Sequence, residues 1–229
     1  MRIYIDFKTA LNEIRRDVGE MGLQVHAHTW QDKVVKDDPQ FKSLELQNYD
    51  YCVTNPRVED LNPTQPWADA EWEERVEGIM GNPINPGIAW KLREEVWSNF
   101  LTPGGVFGYS YAERFAYDQQ VLRIIDRLES DPDSRQCFIS IWRPDDICNL
   151  GGISRVPCSL GYQIQIRGGT LNLTYIQRSS DLATHFENDI YLAFRMQQYI
   201  ANSLRIPVGR FTHNIFSLHL FRKDAEGIF

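Results

Sequence analysis

Basic residues are in short supply: 24 lysines and arginines stand against 31 aspartates and glutamates, for a formal net charge of −7. That balance argues against duplex DNA or an anionic membrane as the main partner, because both need broad basic surfaces. A small anion stays open, since a few local arginines suffice to hold one. No apolar run is long enough to span a bilayer. The opening MRIYIDFKTALNEIRR has no apolar stretch behind a basic lead, so a secretory signal is not expected there. The four cysteines are Cys52, Cys137, Cys148 and Cys158, and no two of them form a CxxC pair. This argues against a zinc ribbon or a thioredoxin-type site. A reduced, cytoplasmic protein is the simplest expectation. Internal repeats and low-complexity segments are also missing.

What is there is an ordinary globular composition: 229 residues, 42% hydrophobic and 24% charged. That is enough chain for one large domain, taken as residues 1–229, with the acidic first third (1–66) less certain as part of it. Phe7, Leu11, Ile14, Val18 and Met21 recur at helical spacing, and Gly22 follows as a stop. SLELQNYDYCV (43–53) reads as a strand, and 54–68 as a loop rich in Pro, Asn and Asp. Helices are expected over 70–77 and 88–100. A long one follows the glycine-rich TPGGVFGYSY, with Leu122, Ile125 and Leu128 inward. CFISIW (137–142) reads as a strand. LGYQIQIR and TLNLTYIQ alternate about Gly168-Gly169, a strong hairpin signal. Asn188 or Asp189 opens a helix, where an acidic first turn suits the macrodipole, and FTHNIFSLHLF is a final strand. The class is α+β: a mixed or antiparallel sheet packed with long helices on one face.

Four segments of the second half carry chemistry: VPCSLGYQ, QRSSD, FENDIY and SLHLF. A free cysteine is most often a buried small hydrophobe, and Cys52 and Cys137 fit that reading among apolar neighbours. Cys158 differs, because it starts a strand just after Arg155, and nearby cations lower a thiol pKa. Arg178 and Ser179 read either as a surface strand end or as a guanidinium fork and hydroxyl for a phosphate. Arg135, in DPDSR, is a further candidate cation.

Taken in order, VPCSLGYQ, QRSSD, a helix opening at ND and SLHLF, with DPDSR and FGYSY upstream, resemble the thymidylate synthase family over roughly residues 67–223. The resemblance implies that family's fold and a homodimer built on one sheet face, with each site borrowing an arginine from the partner. It implies a pyrimidine nucleoside monophosphate as substrate and 5,10-methylenetetrahydrofolate as cosubstrate, with no metal. The matching positions are Cys158 as nucleophile toward C6 and Arg178 and Ser179 on the phosphate, with Arg135 reaching the neighbouring subunit's phosphate. Gln163 and Asp181 match positions along the nucleotide and folate pocket, His219 the histidine near the sugar hydroxyl, and Tyr111 a proton-transfer tyrosine. The family's proton-handling glutamate matches Glu71, with Asp69 as the competing alignment.

Several positions depart from the usual pattern. Asp189 stands where thymidylate synthases carry asparagine, which resembles the deoxycytidylate hydroxymethylase branch known from bacteriophages; a phage-encoded enzyme acting in its host's cytoplasm is the corresponding expectation. An ionised carboxylate only accepts hydrogen bonds, so it suits the exocyclic amine of cytosine and repels O4 of uracil. The alternative is that Asp189 serves the helix while Asn188 takes the base. The short segment after SLHLFRKD, and Phe100 in place of a tryptophan, favour water reaching the site and a hydroxymethyl product. Ser159, Gln136, His185 and Phe221 also depart. Gln136 directs attention to Arg57 as a substitute cation, and Phe221 keeps a ribonucleotide such as CMP open. Rival readings are a dUMP-using synthase or hydroxymethylase, a silent nucleotide- or RNA-binding relative, and a cysteine hydrolase using His213 or His219.

Overall fold

The first helix starts where Asp6 turns its carboxylate back onto the Thr9 amide (2.7 Å), an N-cap that occupies one orphan donor. In this computed structural model the residues described are all except 27–28, 31–32, 36–37, 81–83, 151–154, 227 and 229. Strand β1 (Arg2–Tyr4) leads into α1 (Phe7–Met21), which buries Phe7, Leu11, Ile14 and Val18. Each contributes roughly 1.5–3 kcal/mol when fully buried. Met21, expected on the same face, is 47% exposed. It lies in the last turn, just before the chain leaves extended at Gly22, and has run past the core.

After β2 (Leu23–His26) and a small ladder of β3 (Thr29–Trp30) with β4 (Lys33–Val34) comes β5 (Lys42–Val53). Then follow α2 (Trp67–Met80), α3 (Glu94–Trp97), α4 (Tyr111–Ala116) and α5 (Gln120–Ser130). The last part contains β6 (Phe138–Ser140), β7 (Ser159–Arg167), β8 (Thr170–Gln177), β9 (Ser180–Asp181), α6 (Phe186–Ser203) and β10 (Val208–Phe221). The main sheet runs β1-β5-β10-β8-β7-β6, with β2 beside β5 and β9 beside β10. β10 is antiparallel to β5 but parallel to β8, which makes the sheet mixed. The β7–β8 hairpin turns at Gly168 (φ 61°) and Gly169 (φ 74°), where glycine takes the left-handed backbone at least cost.

Two expected helices are broken. Over 88–100 the chain makes short 3-10 turns, Ala89–Arg93 and Ser98–Phe100, on either side of α3. The break falls at Arg93 (φ −140°, ψ 43°), whose buried guanidinium lies over the Trp67 ring at 5.0 Å. The long helix after the glycine-rich turn is split into α4 and α5 by Asp118 (φ 50°) and Gln119 (φ 52°), a left-handed pair that no helix continues through. Helix α6 begins at Phe186, slightly earlier than expected, and Asp189 falls in its first turn.

Side chains alternate along the central strands. Leu171, Leu173, Tyr175 and Gln177 of β8 are buried, while Asn172, Thr174 and Ile176 on the other face are half-buried. The buried face meets α1 and α6. Across it, cross-strand partners Tyr162, Tyr175, His213 and Tyr51 form one row through β7, β8, β10 and β5. Their rings stack: Tyr162 on Tyr175 (4.7 Å) and Tyr175 on His213 (4.6 Å).

Candidate active site

A cavity of about 640 Å³ opens between the ends of β7–β10, the start of α6, and the α2–α4 region. Its size and its mixture of an apolar wall with a few convergent polar groups are those of a small-molecule site. Cys158 sits on its wall, just ahead of β7, and is half-buried. Backbone pairing places it: the Arg178 amide donates to the Cys158 carbonyl (2.9 Å), so the QRSSD segment lies directly alongside. The Arg178 guanidinium donates to the carbonyls of Pro157 (2.9 Å) and Val156 (3.2 Å) and stands 3.8 Å from the Cys158 sulfur. Arg155 also lines the cavity, its guanidinium held against the rings of Phe100 (4.2 Å) and Trp97 (5.2 Å).

The cations do not win at the thiol. Burial pushes the Cys158 pKa up; Arg178 and Arg155 oppose this, and the carboxylates of Asp189 and Asp181 add to it. The sequence expectation of a lowered pKa is corrected accordingly: two guanidiniums limit the rise without reversing it.

Glu71 projects from α2 into the cavity and is tied to Arg75 (3.0 Å) one turn on. Arg75 is itself buried and packs over the Tyr111 ring at 4.5 Å. Gly78 lets α2 approach α4 here, because an added Cβ would lie 2.9 Å from that of Ala112. Asp69 takes no part in the lining; it accepts from Tyr191 and from Arg195 (3.3 Å). Tyr111 opens α4 behind a capping box in which Ser110 and Glu113 exchange bonds with each other's backbone amides. Its hydroxyl is 3.4 Å from Ser159, and Ser159 is 2.5 Å from the Tyr175 hydroxyl.

Asp181 and His219 face one another in the β9–β10 ladder, and both line the cavity with Ser179. Asp181 also accepts from the amides of Ala183 (3.1 Å) and Thr184 (3.4 Å), which fixes its carboxylate. Burial lowers the His219 pKa against the pull of Asp181. His185, the N-cap residue of α6, lies against Trp97; burial drops its pKa to about 3, so it is neutral.

At the cavity floor Asp189 accepts from the Gln177 side-chain amide (2.8 Å), and burial raises its pKa to about 6. Asn188, the alternative base contact, points elsewhere: it accepts from the Thr64 amide (2.7 Å) and donates to the Thr64 hydroxyl (3.2 Å). Of the sequence-chosen residues, Cys158, Glu71, Tyr111, Asp181, Arg178, Ser179, Asp189 and His219 come together on this cavity. Arg135 and Gln163 do not line it. Arg135 is exposed, and its carbonyl meets the Gln163 side chain at 3.5 Å. Arg57 is exposed as well and lies outside the lining. His213 is buried behind the cavity wall, and the aromatic wall of Trp67, Trp90, Trp97 and Phe107 had no local sequence signal. Arg75 and Gln177 were also missed; an arginine one helical turn after Glu71 was the available hint.

A sequence model of the thymidylate synthase family matches residues 81–228. A protein of Methanocaldococcus jannaschii described as a putative thymidylate synthase is 25% identical over 198 residues, 82% of this chain and 80% of that one. The thymidylate synthase of Listeria monocytogenes serotype 4a is 25% identical over 142 residues, covering 60% of this chain and 44% of its own. The chain thus spans less than half of that enzyme. The solved structure of the thermostable thymidylate synthase A from Bacillus subtilis shares the fold with a TM-score of 0.73 at 19% identity, over 94% of this chain and 80% of the other. Together with the α+β fold and its mixed sheet, these matches show that the chain belongs to the thymidylate synthase family.

Proposed function

We propose that the protein transfers a one-carbon unit to C5 of a pyrimidine nucleoside monophosphate through a covalent adduct on Cys158. The observation that carries the reading is the convergence of a half-buried thiol, two guanidiniums and a half-buried carboxylate on one cavity. The thiolate adds to C6, the S–C6 bond forms, and the electron pair moves toward C5 and the exocyclic group at C4. Arg178 and Arg155 offset the charge on sulfur before it attacks. Ser179 and Arg178 suit the nucleotide phosphate, whose remote binding energy orients the ring. Arg135, outside its own chain's cavity, suits the phosphate of a neighbouring copy, and the half-buried outer sheet face supports a homodimer. Glu71, Tyr111 and Asp181, which line the same cavity, suit the tasks of relaying the C5 proton and ordering water.

The folate cosubstrate, 5,10-methylenetetrahydrofolate, supplies the electrophilic carbon. The residues fit such a group: Trp90 and Phe107 offer apolar ring surface on the cavity lining for a fused ring, beside Trp97 and Phe100, on which Arg155 rests.

Asp189 favours cytosine. Its carboxylate accepts from Gln177 on one side and lines the cavity on the other, the pattern suited to an exocyclic amine. On that ground the finer reading is dCMP to 5-hydroxymethyl-dCMP. The comparisons weigh the other way. The relatives are named thymidylate synthases, and they support methylation of dUMP better than hydroxymethylation of dCMP. Incubating the protein with methylenetetrahydrofolate and either dCMP or dUMP, then weighing the nucleotide, separates the two: a hydroxymethyl group on dCMP is the expected product, and a methyl group on dUMP would establish the second reading. Cys158→Ala is expected to abolish the nucleotide adduct and to cut turnover by about 10³-fold or more. Full turnover by that variant would overturn the covalent route.

A further inference from the structure

We propose that His213, which does not touch the cavity, is a positioning residue that sets the base preference of the site by fixing which end of the Gln177 amide meets Asp189. The inference rests on the reading that Asp189 faces the base.

His213 is fully buried in β10. Its ring is sandwiched between Tyr175 (4.6 Å, 15°) and Phe186 (5.8 Å, 13°), so it has no room to turn. Its Nδ1 is 3.1 Å from the Tyr51 hydroxyl and its Nε2 is 2.8 Å from Gln177 Oε1. Gln177, also fully buried, places its Nε2 2.8 Å from Asp189 Oδ2. Burial depresses the His213 pKa to about 3, so the ring is neutral and carries a single N–H.

The direction of every bond then follows. An amide oxygen can only accept, so the His213 proton sits on Nε2. The bare Nδ1 accepts from Tyr51, whose hydroxyl burial keeps protonated. The Gln177 oxygen is thereby engaged, and its N–H₂ end is delivered to Asp189. The donations run Tyr51 to His213 to Gln177 to Asp189, and they end on a carboxylate that presents only acceptor capacity to the cavity. If Gln177 turned over, its oxygen would face Asp189, and only a protonated Asp189 could meet it. The donor–acceptor pattern shown to a base would change with it. The cross-strand register of Tyr51, His213 and Tyr175 holds the histidine in place for this task.

The test measures dissociation constants of dCMP and dUMP for the full-length protein, without folate, by calorimetry. His213→Phe keeps the stacked ring and removes both nitrogens. It is expected to change the dCMP-to-dUMP affinity ratio by about tenfold toward dUMP, the scale of losing one directed buried hydrogen bond. His213→Gln, which returns an N–H near the Nε2 position, is expected to recover most of the ratio. A packing defect alone would weaken both nucleotides alike. Tyr51→Phe, which removes one hydroxyl, gives a smaller shift in the same direction and serves if His213→Phe does not fold. If Asp189→Asn moves the ratio while neither relay variant does, the inference fails and the base-pocket reading stands. If Asp189→Asn leaves the ratio unmoved as well, the base-pocket reading itself fails.

Discussion

At Asp189, burial against one amide donor raises the carboxyl pKa from 3.8 to about 6, so the group is mostly ionised at neutral pH and takes up its proton as the pH falls through about 6. The folded state therefore binds this proton more tightly than the unfolded chain does. The stability it lends is full below about pH 4 and is lost as the pH rises through about 6, at most about 3 kcal/mol before solvent in the cavity screens it. Asp189→Asn removes that loss. Urea unfolding measured from pH 4 to 7 is expected to show the wild type losing stability relative to the variant over this interval. Parallel pH profiles would show that the carboxylate is not buried as described. Cys158 follows the same logic: burial and two carboxylates raise its pKa, and Arg178 and Arg155 limit the rise.

Among the elements, α4 is six residues long and too short to hold itself together without its ends. Its capping box is therefore central to where Tyr111 stands. Ser110→Ala removes the hydroxyl that accepts from the Glu113 amide (3.2 Å) and should cost about 1 kcal/mol of stability. Because Tyr111 is the next residue, turnover is expected to fall further than the stability loss alone would bring, and thermal unfolding paired with kinetics measures both. The β8–β10 pairing has a comparable role. Its parallel register brings Gln177 opposite Ile215 and His213 opposite Tyr175, which puts the polar relay on the buried face beside α6.

For the molecule as a whole, the cavity joins distant parts of the chain, and two ion pairs, one buried and one half-buried, tie those parts together. Arg114 of α4 grips Asp146 through two bonds (2.6 and 3.0 Å), both side chains nearly fully buried, and so fixes the turn that leads toward Asn149 and Leu150 at the cavity. Arg15 of α1 reaches Glu187 of α6 and anchors the amino-terminal part to the helix that carries Asp189. Arg135 lies outside the cavity, so the proposal that it serves a neighbouring copy has a direct consequence. Two inactive variants, Arg135→Ala and Cys158→Ala, mixed under conditions that exchange subunits, should recover about a quarter of wild-type activity, since half the dimers are mixed and each has one intact site. No recovery on mixing would place Arg135 outside the site.

The residues themselves determined the class of the fold and pointed to most of the residues that line the cavity. Alternation marked β5, β7, β8 and β10, the Gly168-Gly169 pair marked the hairpin, and the order of Cys158, Arg178, Ser179, Asp181, Asp189 and His219 marked one site before any coordinates. The strand and hairpin signals are local, and short-range sterics and hydrogen-bonding capacity enforce them; the site order was legible only through its resemblance to a known family. Tertiary structure decided that Glu71 and Asp189, and not Asp69 and Asn188, line the cavity, because neighbouring helical positions point in different directions and only packing says which one faces it. It also decided the sign of the Cys158 shift and the Tyr51–His213–Gln177 relay. Both depend on burial and on partners up to 162 residues away, and no window along a chain contains that information.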